Sequence, residues 1–390
     1  MNMPHDYREG HAAAVLKNPD LADRYVAHTM LGDPLADAAV AELARHAPQL
    51  AQEWVRLGMD EGAARLAEAP PAVRDFFIES EKVPDWFDEA ATLPGCRAFY
   101  RNSEMFVGAF VAAVLIEGFS TLISRSFSIT GRMVDQGVRR LKQNNRQLVE
   151  IFLPGGLGRY GEGWKLSVRI RLVHARIRQL LVQSDEWESA AWGTPLSSAH
   201  IAFATAAFSG LLLKRARMLG VELSAEERDA FMTIWRYAGH LMGVDPALQC
   251  ATEEEALTLY EIGAMCEPPI SLDSILLANG LINSAPLVAG IEEQAARRRL
   301  ARRIYRVSRA MIGDEMADAL RYPALNTTGT LLLFRLKGRA ERLMHRYFPK
   351  LAQHRQLSQF QTMLNVSHYA DQGIGYRLPG HVHAEKDGTI

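Results

Sequence analysis

The chain has 390 residues, with 44 Lys and Arg against 45 Asp and Glu and a formal net charge of -1. This balance excludes a global electrostatic field that would attract nucleic acid, so basic residues matter only where they cluster. Hydrophobic residues make up 48% and charged residues 23%, which excludes a disordered chain and is typical of a globular protein with a sizeable core.

Two features of the sequence bear on where the protein resides. Residues 1–14 lack the basic-then-apolar pattern of a secretory signal. The three cysteines, Cys96, Cys250 and Cys266, are too widely spaced for a CxxC metal site and do not suggest a disulfide framework. A cytoplasmic location in a reducing environment is therefore expected.

The apolar stretches of the chain are short. Residues 106–116, followed by Glu117, and residues 201–213 both fall below the roughly 18 to 20 residues that span a bilayer. We interpret both stretches as core helices and predict no transmembrane segment.

Helical periodicity dominates the chain and alternating β-branched runs are nearly missing, so the predicted fold class is all-α. Residues 1–94 look like an N-terminal helical extension packed on the core. In it, Asp33-Pro34 and Pro71 are typical of helix starts. Residues 84–91 read as a short connector helix before a break at residues 93–95.

The central part of the chain, residues 95–250, shows the clearest organisation. Five helices are predicted there: 96 to about 124, 133 to about 152, 160–184, 198–220 and 224–243. Gly220 is placed like a C-terminal cap, and Ser224 with Glu227 forms a capping box.

The C-terminal part of the chain gives a coarser pattern. Residues 252–264 read as a helix, Pro268-Pro269 ends it, and further helices are predicted to start near Ser271, Glu292, Ser308 and Thr328. We assign residues 95–370 to one helical domain and residues 371–390 to a loose tail.

A cluster of seven arginines lies in this part of the chain, at Arg297, Arg298, Arg299, Arg302, Arg303, Arg306 and Arg309. One interpretation is a solvated helix face with snorkelling side chains. The other is contact with a partner or with an acidic membrane surface.

The most informative segment is residues 165–181. On a helical wheel His174 falls beside Ile170, Ile177 and Leu181, within the apolar stripe of the helix. Two arginines, Arg171 and Arg178, line one edge of that stripe. An imidazole among aliphatic groups with guanidiniums at one rim is compatible with haem, which offers a metal, an apolar macrocycle and anionic propionates. A core histidine is the alternative.

Several ordered motifs over residues 105–265 extend this pattern. They are Arg171-x-x-His174-x-x-x-Arg178, Ala191-Trp-Gly-Thr-Pro195 and Trp235-Arg-x-x-Gly-His240-Leu-Met-Gly-Val244. Together they resemble the catalytic domain of the latex clearing protein (rubber oxygenase) family, which includes the fungal oxygenase that shortens a prenyl chain in mycophenolic acid synthesis. The resemblance implies an all-helical, globin-related fold holding one haem b, with His174 as the proximal iron ligand and Arg171 and Arg178 flanking it.

The resemblance also implies a distal side. Arg139 and Lys142 match an arginine and a lysine that stand over the haem in the family, whereas Gln143 replaces a threonine. A glutamate acts as the base in the family's rubber oxygenases, and Glu117 is the nearest carboxylate here, although its spacing from Arg139 differs from the family pattern by several residues. An apolar setting would raise its pKa and suit a base role.

Other assignments stay open at this point. The alternative for Glu117 is a structural ion pair with Arg125, Arg139 or Arg140. For His240 we favour a packing role near the haem over iron ligation, because two histidine ligands would block oxygen. Three further histidines, His200, His345 and His354, receive no assignment.

The predicted function is a haem b-dependent oxygenase that uses O2 to cleave a C=C bond in an apolar unsaturated substrate, isoprenoid or lipid-like. The expected partners are O2 and this hydrophobic small molecule, with no nucleic acid. One alternative is a non-catalytic haem-binding carrier or gas sensor. Another is a haem-free helical lipid-binding protein.

Overall fold

The computed structural model describes residues 3–130, 137–347, 378–379 and 381–383, with the backbone alone at 137–140, 341, 345 and 346. Throughout these ranges the regular elements are helices, and no strand occurs among them. The all-α prediction is confirmed.

Five helices form the N-terminal layer, and local sequence explains how they begin. They are α1 (Arg8–Val15), α2 (Pro19–His28), α3 (Pro34–Leu43), α4 (Pro48–Asp60) and α5 (Pro71–Glu81). A proline opens each of the last four, where its missing N–H costs nothing. The Asp33 side chain accepts a hydrogen bond from the Ala36 N–H, which confirms the predicted start of α3. The start of α5 at Pro71 is also confirmed.

The predicted connector helix at residues 84–91 is wrong. The segment forms a turn instead, with a 3-10 turn at Ala90–Thr92. The Asp88 side chain accepts a hydrogen bond from the Ala90 N–H, a local turn that competes with helical backbone pairing. The turn uses its aromatic residues for packing, since Phe87 stacks on Tyr237 with ring centroids 3.7 Å apart.

The prediction of one long helix from residue 96 to about 124 is also wrong. The segment is divided into α6 (Leu93–Arg101), α7 (Ser103–Ala109), α8 (Leu115–Phe119) and α9 (Leu122–Ile129), with a π-helical turn at Phe110–Val114 between α7 and α8. At Asn102 the side-chain amide donates to the Ala98 carbonyl and the backbone leaves the helical region. A second break follows α8, where Thr121 is extended and its hydroxyl caps α9.

The central helices agree better with the sequence. They are α10 (Gly137–Ile151), α11 (Glu162–Val182), α12 (Ser189–Trp192), α13 (Ser198–Ala206), α14 (Leu212–Met218) and α15 (Ala225–Leu241). A π-helical turn at Ala207–Leu211 joins α13 to α14. Gly220 has a φ of 94°, as a C-terminal cap requires, and the capping box of Ser224 and Glu227 is confirmed.

Five helices complete the described chain: α16 (Glu253–Cys266), α17 (Leu272–Val288), α18 (Gln294–Ile312), α19 (Asp314–Ala319) and α20 (Thr330–Tyr347). Ser271 caps α17 as predicted. The predicted helix start at Ser308 is wrong, because Ser308 lies buried inside α18 and the chain turns only at Gly313, whose φ is 89°. Most of residues 371–390 lies outside the described residues, so the loose tail stays a prediction, as does the domain division.

No single helix in the described ranges is both long and apolar enough to cross a bilayer. Ala90–Arg101 and Ser103–Phe119 meet that test only as a pair, and the pair is bent by 84°.

A buried polar network connects the N-terminal layer to the core. The Glu267 carboxylate, just after α16, accepts hydrogen bonds from the Tyr7 and Tyr25 hydroxyls at 3.1 and 2.7 Å. His200 on α13 shares a hydrogen bond with Tyr7 at 2.9 Å, and its other ring nitrogen lies 3.1 Å from the Ser197 hydroxyl. His200 is fully buried, so this unassigned histidine belongs to the core. These mutual bonds offset the cost of burying the carboxylate.

Two ion pairs fasten α3 to α11. Arg171 donates through Nε and Nη2 to Asp33. Arg178 donates through Nε to Asp37, and its Nη2 lies 2.8 Å from Asp37 Oδ1. Both guanidiniums are largely buried, so these charge-assisted bonds are shielded from solvent screening. A side chain at Gly243 would collide with the first pair, because its Cβ would lie 2.3 Å from Asp33 Oδ2.

Replacing Gly243 tests how far the fold depends on that close approach. Gly243 has a φ of 83°, so Gly243→Ala adds backbone strain to the collision with Asp33. We expect a loss of about 3 kcal/mol or more in the free energy of unfolding, measured by urea denaturation. Gly290→Ala is the matched control, since its φ is 71° and no atom lies within 4 Å. It should lose only about 1–2 kcal/mol. Equal losses in both variants would contradict the prediction.

Candidate functional site

His174 lies on the face of α11 that the sequence predicted. The side chains of Ile170, Ile177 and Leu181 are at most 5% exposed, and His174 itself is half-buried among them. The prediction that α11 is amphipathic, with His174 on its apolar face, is therefore confirmed. An imidazole in such surroundings is held mostly away from water, with aliphatic carbon on its flanks.

A small cavity adjoins His174, where α11 meets the start of α3, the start of α13 and the end of α15. Its volume is about 10 Å³ and it is lined by Gly32, Asp33, Arg171, His174, Arg178, Ser198, Ile201, Met242 and Gly243. The volume suits one water molecule and is far below that of a macrocycle. The buried Ser198 hydroxyl has no hydrogen-bond partner among the described residues. The cavity therefore combines an imidazole, an unsatisfied hydroxyl, two arginines with Asp33, and the apolar side chains of Ile201 and Met242.

The two arginines beside His174 differ in how many of their guanidinium nitrogens already have a protein partner. All three nitrogens of Arg178 have protein partners, with Nη1 donating to the Leu196 carbonyl at 2.6 Å. Arg171 uses Nε and Nη2 on Asp33, which leaves Nη1 to reach an anionic group. Cofactor binding by these residues stays a prediction, and the contacts favour Arg171 over Arg178 for it.

The predicted distal residues lie on α10, which packs against α11. The side chain of Arg139 lies outside the described residues. Lys142 and Gln143 are half-buried on the same helix. Their roles over a cofactor stay predictions, but the fold brings their helix next to that of His174.

The structure reveals a link from α10 to the His174 cavity that the sequence did not predict. The Gln147 amide donates to Met242 Sδ at 3.1 Å, and Met242 lines the cavity. Nearby on α10, Asn144 Nδ2 and Asn145 Oδ1 are buried without hydrogen-bond partners in the described part of the chain. Unsatisfied buried amides are costly, which is typical of groups that await a ligand or water. The run of asparagines and glutamines on this amphipathic helix is the sequence feature that could have indicated these buried amides.

Glu117 is buried in an ion pair, but with a different partner from those predicted. Its carboxylate receives two hydrogen bonds from Arg215 of α14, through Nε at 2.9 Å and through Nη2. Arg125, one expected partner, lies 3.3 Å from Asp273 instead. The side chains of Arg139 and Arg140 lie outside the described residues. Burial raises the pKa of Glu117, and Arg215 opposes that rise.

Glu117 and His174 line different cavities. Glu117 belongs to the wall of a larger space of about 440 Å³ that also includes Thr121, Phe203, Tyr260 and Glu267. The base role of Glu117 stays a prediction, and its geometry favours the structural alternative. The reason is that both carboxylate oxygens are already engaged by one guanidinium.

His240 packs among aromatic rings at the end of α15. Its ring stacks on Tyr237 with centroids 6.0 Å apart and lies edge-on to Trp86 at 6.3 Å. Burial lowers the pKa of His240 below its usual value, and the charges of Arg171 and Arg236 lower it further. His240 is not among the residues lining the cavity beside His174, which agrees with the packing role favoured from the sequence.

The Glu117 pair yields a stability prediction. Glu117→Gln leaves the guanidinium of Arg215, whose side chain is only 12% exposed, without its counter-charge. We expect a loss of about 3–5 kcal/mol in the free energy of unfolding by urea denaturation. The double variant Glu117→Leu/Arg215→Met removes both charges and should recover most of that loss. Unchanged stability in Glu117→Gln would instead favour the base role.

The position of His240 yields a pH prediction. Because its native pKa is depressed, the unfolded state takes up a proton first as the pH falls below about 6.5. Stability should therefore decrease from about pH 7.5 to about pH 5.5, and His240→Gln should decrease less over that interval. Urea denaturation of both proteins at each pH measures the difference. Parallel pH dependence in the two proteins would contradict it.

Three comparisons with known proteins bear on the family and the fold of the chain. The family model described as "ER-bound oxygenase mpaB/B'/Rubber oxygenase, catalytic domain" matches residues 96–343. A rubber oxygenase from Streptomyces sp. (strain K30) is 25% identical over 248 residues, which cover 56% of this chain and 58% of that protein. The chain thus matches somewhat more than half the length of this curated relative.

The solved structure of latex clearing protein in its closed state shows the same fold. Its TM-score to this chain is 0.66 at 21% identity, covering 90% of this chain and 94% of the other. The matched family region contains His174, every lining residue of the small cavity except Gly32 and Asp33, and helices α7 to α19 in full. By this match across most of its length, the chain belongs to the mpaB and rubber oxygenase catalytic-domain family.

Proposed function

We propose that the protein is a haem b-dependent oxygenase that uses O2 to cleave a C=C bond in an apolar unsaturated substrate of isoprenoid or lipid-like chemistry. The observation that carries the proposal is His174, a half-buried imidazole in an apolar helix face within the family region. A neutral imidazole is a common iron ligand, and an apolar wall suits a macrocycle.

The residues present fit haem b in their chemistry. His174 would hold the iron, and Nη1 of Arg171 would pair with a propionate. The unsatisfied amides of Asn144 and Asn145 and the hydroxyl of Ser198 are further polar groups of this region with unused capacity. The cavity beside His174 is too small for a macrocycle, so the volume for one has to come from beyond the residues that line it.

Each part of the site has a separate task in the proposed reaction. Haem b would supply the oxygen chemistry. His174 would hold the haem iron, and the Arg171–Asp33 pair orients the helix of His174 against α3. Ile201 and Met242, both largely buried, leave room for no more than about one water beside His174, so polar interactions there are only weakly screened. Lys142, with Arg139 and Gln143, is the group that would meet O2 and substrate from α10. A cytoplasmic location also stays a prediction.

The first test is the absorption spectrum of the protein expressed with a haem precursor, together with a pyridine haemochrome assay. We expect haem b in about one-to-one amount in the wild type, and its loss or a strongly altered spectrum in His174→Ala. His46→Ala is the control, because His46 is exposed between α3 and α4 and lies outside the matched family region, and it should keep the wild-type spectrum. Wild-type protein without haem would overturn the proposal and favour a lipid-binding protein.

A second measurement separates the oxygenase from a haem carrier or gas sensor. Oxygen consumption is followed with a prenyl or unsaturated lipid substrate and compared with a saturated analogue. An oxygenase consumes O2 only with the unsaturated compound. A carrier binds a gas ligand without turnover in either case.

A further inference from the structure

The outer face of α20 carries an exposed apolar stripe. Its members are 48–68% exposed: Leu332, Leu333, Leu336, Leu343 and Tyr347. Their spacing places them within one arc of a helix, since residues three, four and seven apart share a face. Large apolar side chains gathered in one patch are uncommon on a monomer surface and mark interaction sites. We name this set the α20 stripe.

The opposite face of α20 explains why the stripe points outward. Leu331 and Phe334 pack on the hydrophobic core. A Cβ on Gly338 would lie 3.0 Å from the Gly220 carbonyl oxygen, so the helix backbone rests against the turn after α14. The side chains half a turn away therefore face away from the body, and nothing in the described residues covers them.

Basic side chains are exposed on α20 and on the helix packed against it. Arg335 and Arg339 are exposed on α20 itself. The neighbouring helix α18, which packs against α20, exposes five arginines: Arg298, Arg299, Arg302, Arg303 and Arg306. Of these five, Arg299 alone has an acidic partner among the described residues, at 3.7 Å from Glu293. Arg309, in contrast, is buried and pairs with Asp314 and Asp318 of α19.

We propose that α18 and α20 form a docking surface for an anionic lipid bilayer. An apolar stripe bordered by arginines is the pattern of a helix that lies in the membrane interface. The leucines insert at the boundary between headgroups and acyl chains, while the arginines are attracted by the negative surface potential. Since the whole chain has a net charge of -1, this attraction is local to the two helices. The inference stands independently of the proposed oxygenase function.

Charge complementarity favours an anionic bilayer over the other molecules that could occupy this surface. A second copy of this chain in a two-fold interface would bring the same arginines of α18 and α20 towards each other. Their repulsion would oppose the gain from burying the leucines. Nucleic acid would satisfy the arginines but not the stripe, because phosphate contacts need no exposed leucines. A bilayer with anionic headgroups satisfies both at once.

The test is co-sedimentation of the full-length protein with vesicles. We expect binding to phosphatidylcholine vesicles that contain about one-third phosphatidylserine, weak binding to pure phosphatidylcholine, and a decrease with added salt. The variant Leu332→Ser/Leu336→Ser/Leu343→Ser should lose binding to the anionic vesicles. Leu16→Ser/Leu272→Ser is its control, because these leucines are 89% and 68% exposed on other helices, and it should bind like the wild type.

A second variant tests the charge. Each arginine near an anionic surface contributes roughly fivefold to affinity, so Arg298→Gln/Arg302→Gln/Arg306→Gln should weaken binding on the order of a hundredfold. The matched control, Arg8→Gln/Arg65→Gln/Arg97→Gln, removes three exposed arginines from other helices and should keep wild-type affinity within about threefold. Circular dichroism of each variant confirms that the fold is retained.

Several outcomes would overturn the proposal. One is equal binding to neutral and anionic vesicles, and another is unchanged binding after substitution of the stripe. A concentration-dependent dimer that disappears in the leucine variant would identify a second copy as the occupant. Equally tight, salt-sensitive binding to RNA that ignores the stripe would identify a polyanion site instead.

Discussion

The position of His174 depends on two ion pairs between α3 and α11. Asp33 and Asp37 hold Arg171 and Arg178 on either side of the histidine, in surroundings that screen little of the attraction. The pairs convert an amphipathic helix, which could rotate or slide on apolar contacts alone, into one with a fixed register. The paired carboxylates offset part of the cost of burying the guanidiniums.

Two buried carboxylates, Glu267 and Glu117, likewise join segments that are distant in sequence. Glu267 accepts hydrogen bonds from two tyrosine hydroxyls of the N-terminal layer and lies close to His200. Glu117 forms an ion pair with Arg215, which joins α8 to α14. Glutamate is a residue type that often acts in catalysis, but the contacts of these two glutamates join parts of the fold. The arginines of α18 differ, because most of those at the surface lack acidic partners among the described residues and their helix packs against α20, which carries the exposed leucines.

These placements separate the candidate site from the scaffold around it. His174, Ser198 and Met242 share one small cavity, and Gln147 reaches that cavity from α10. Glu117 lies in the wall of another. The family match covers both regions, so membership alone does not distinguish a chemical role from a structural one. The contacts of each side chain distinguish the two kinds of role. They favour His174 and the polar residues of α10 as the candidate functional site.

Local sequence determined the helical class, the starts of α3, α5, α15 and α17, and the buried face of α11. Caps, prolines and apolar periodicity act within a few residues, so they can be read without the fold. Only the tertiary structure decided which charges meet, because Arg171 and Asp33 are 138 residues apart and Glu117 and Arg215 are 98 apart. It also decided the outward face of α20, since packing against other segments selects among local conformations that sequence patterns leave equivalent.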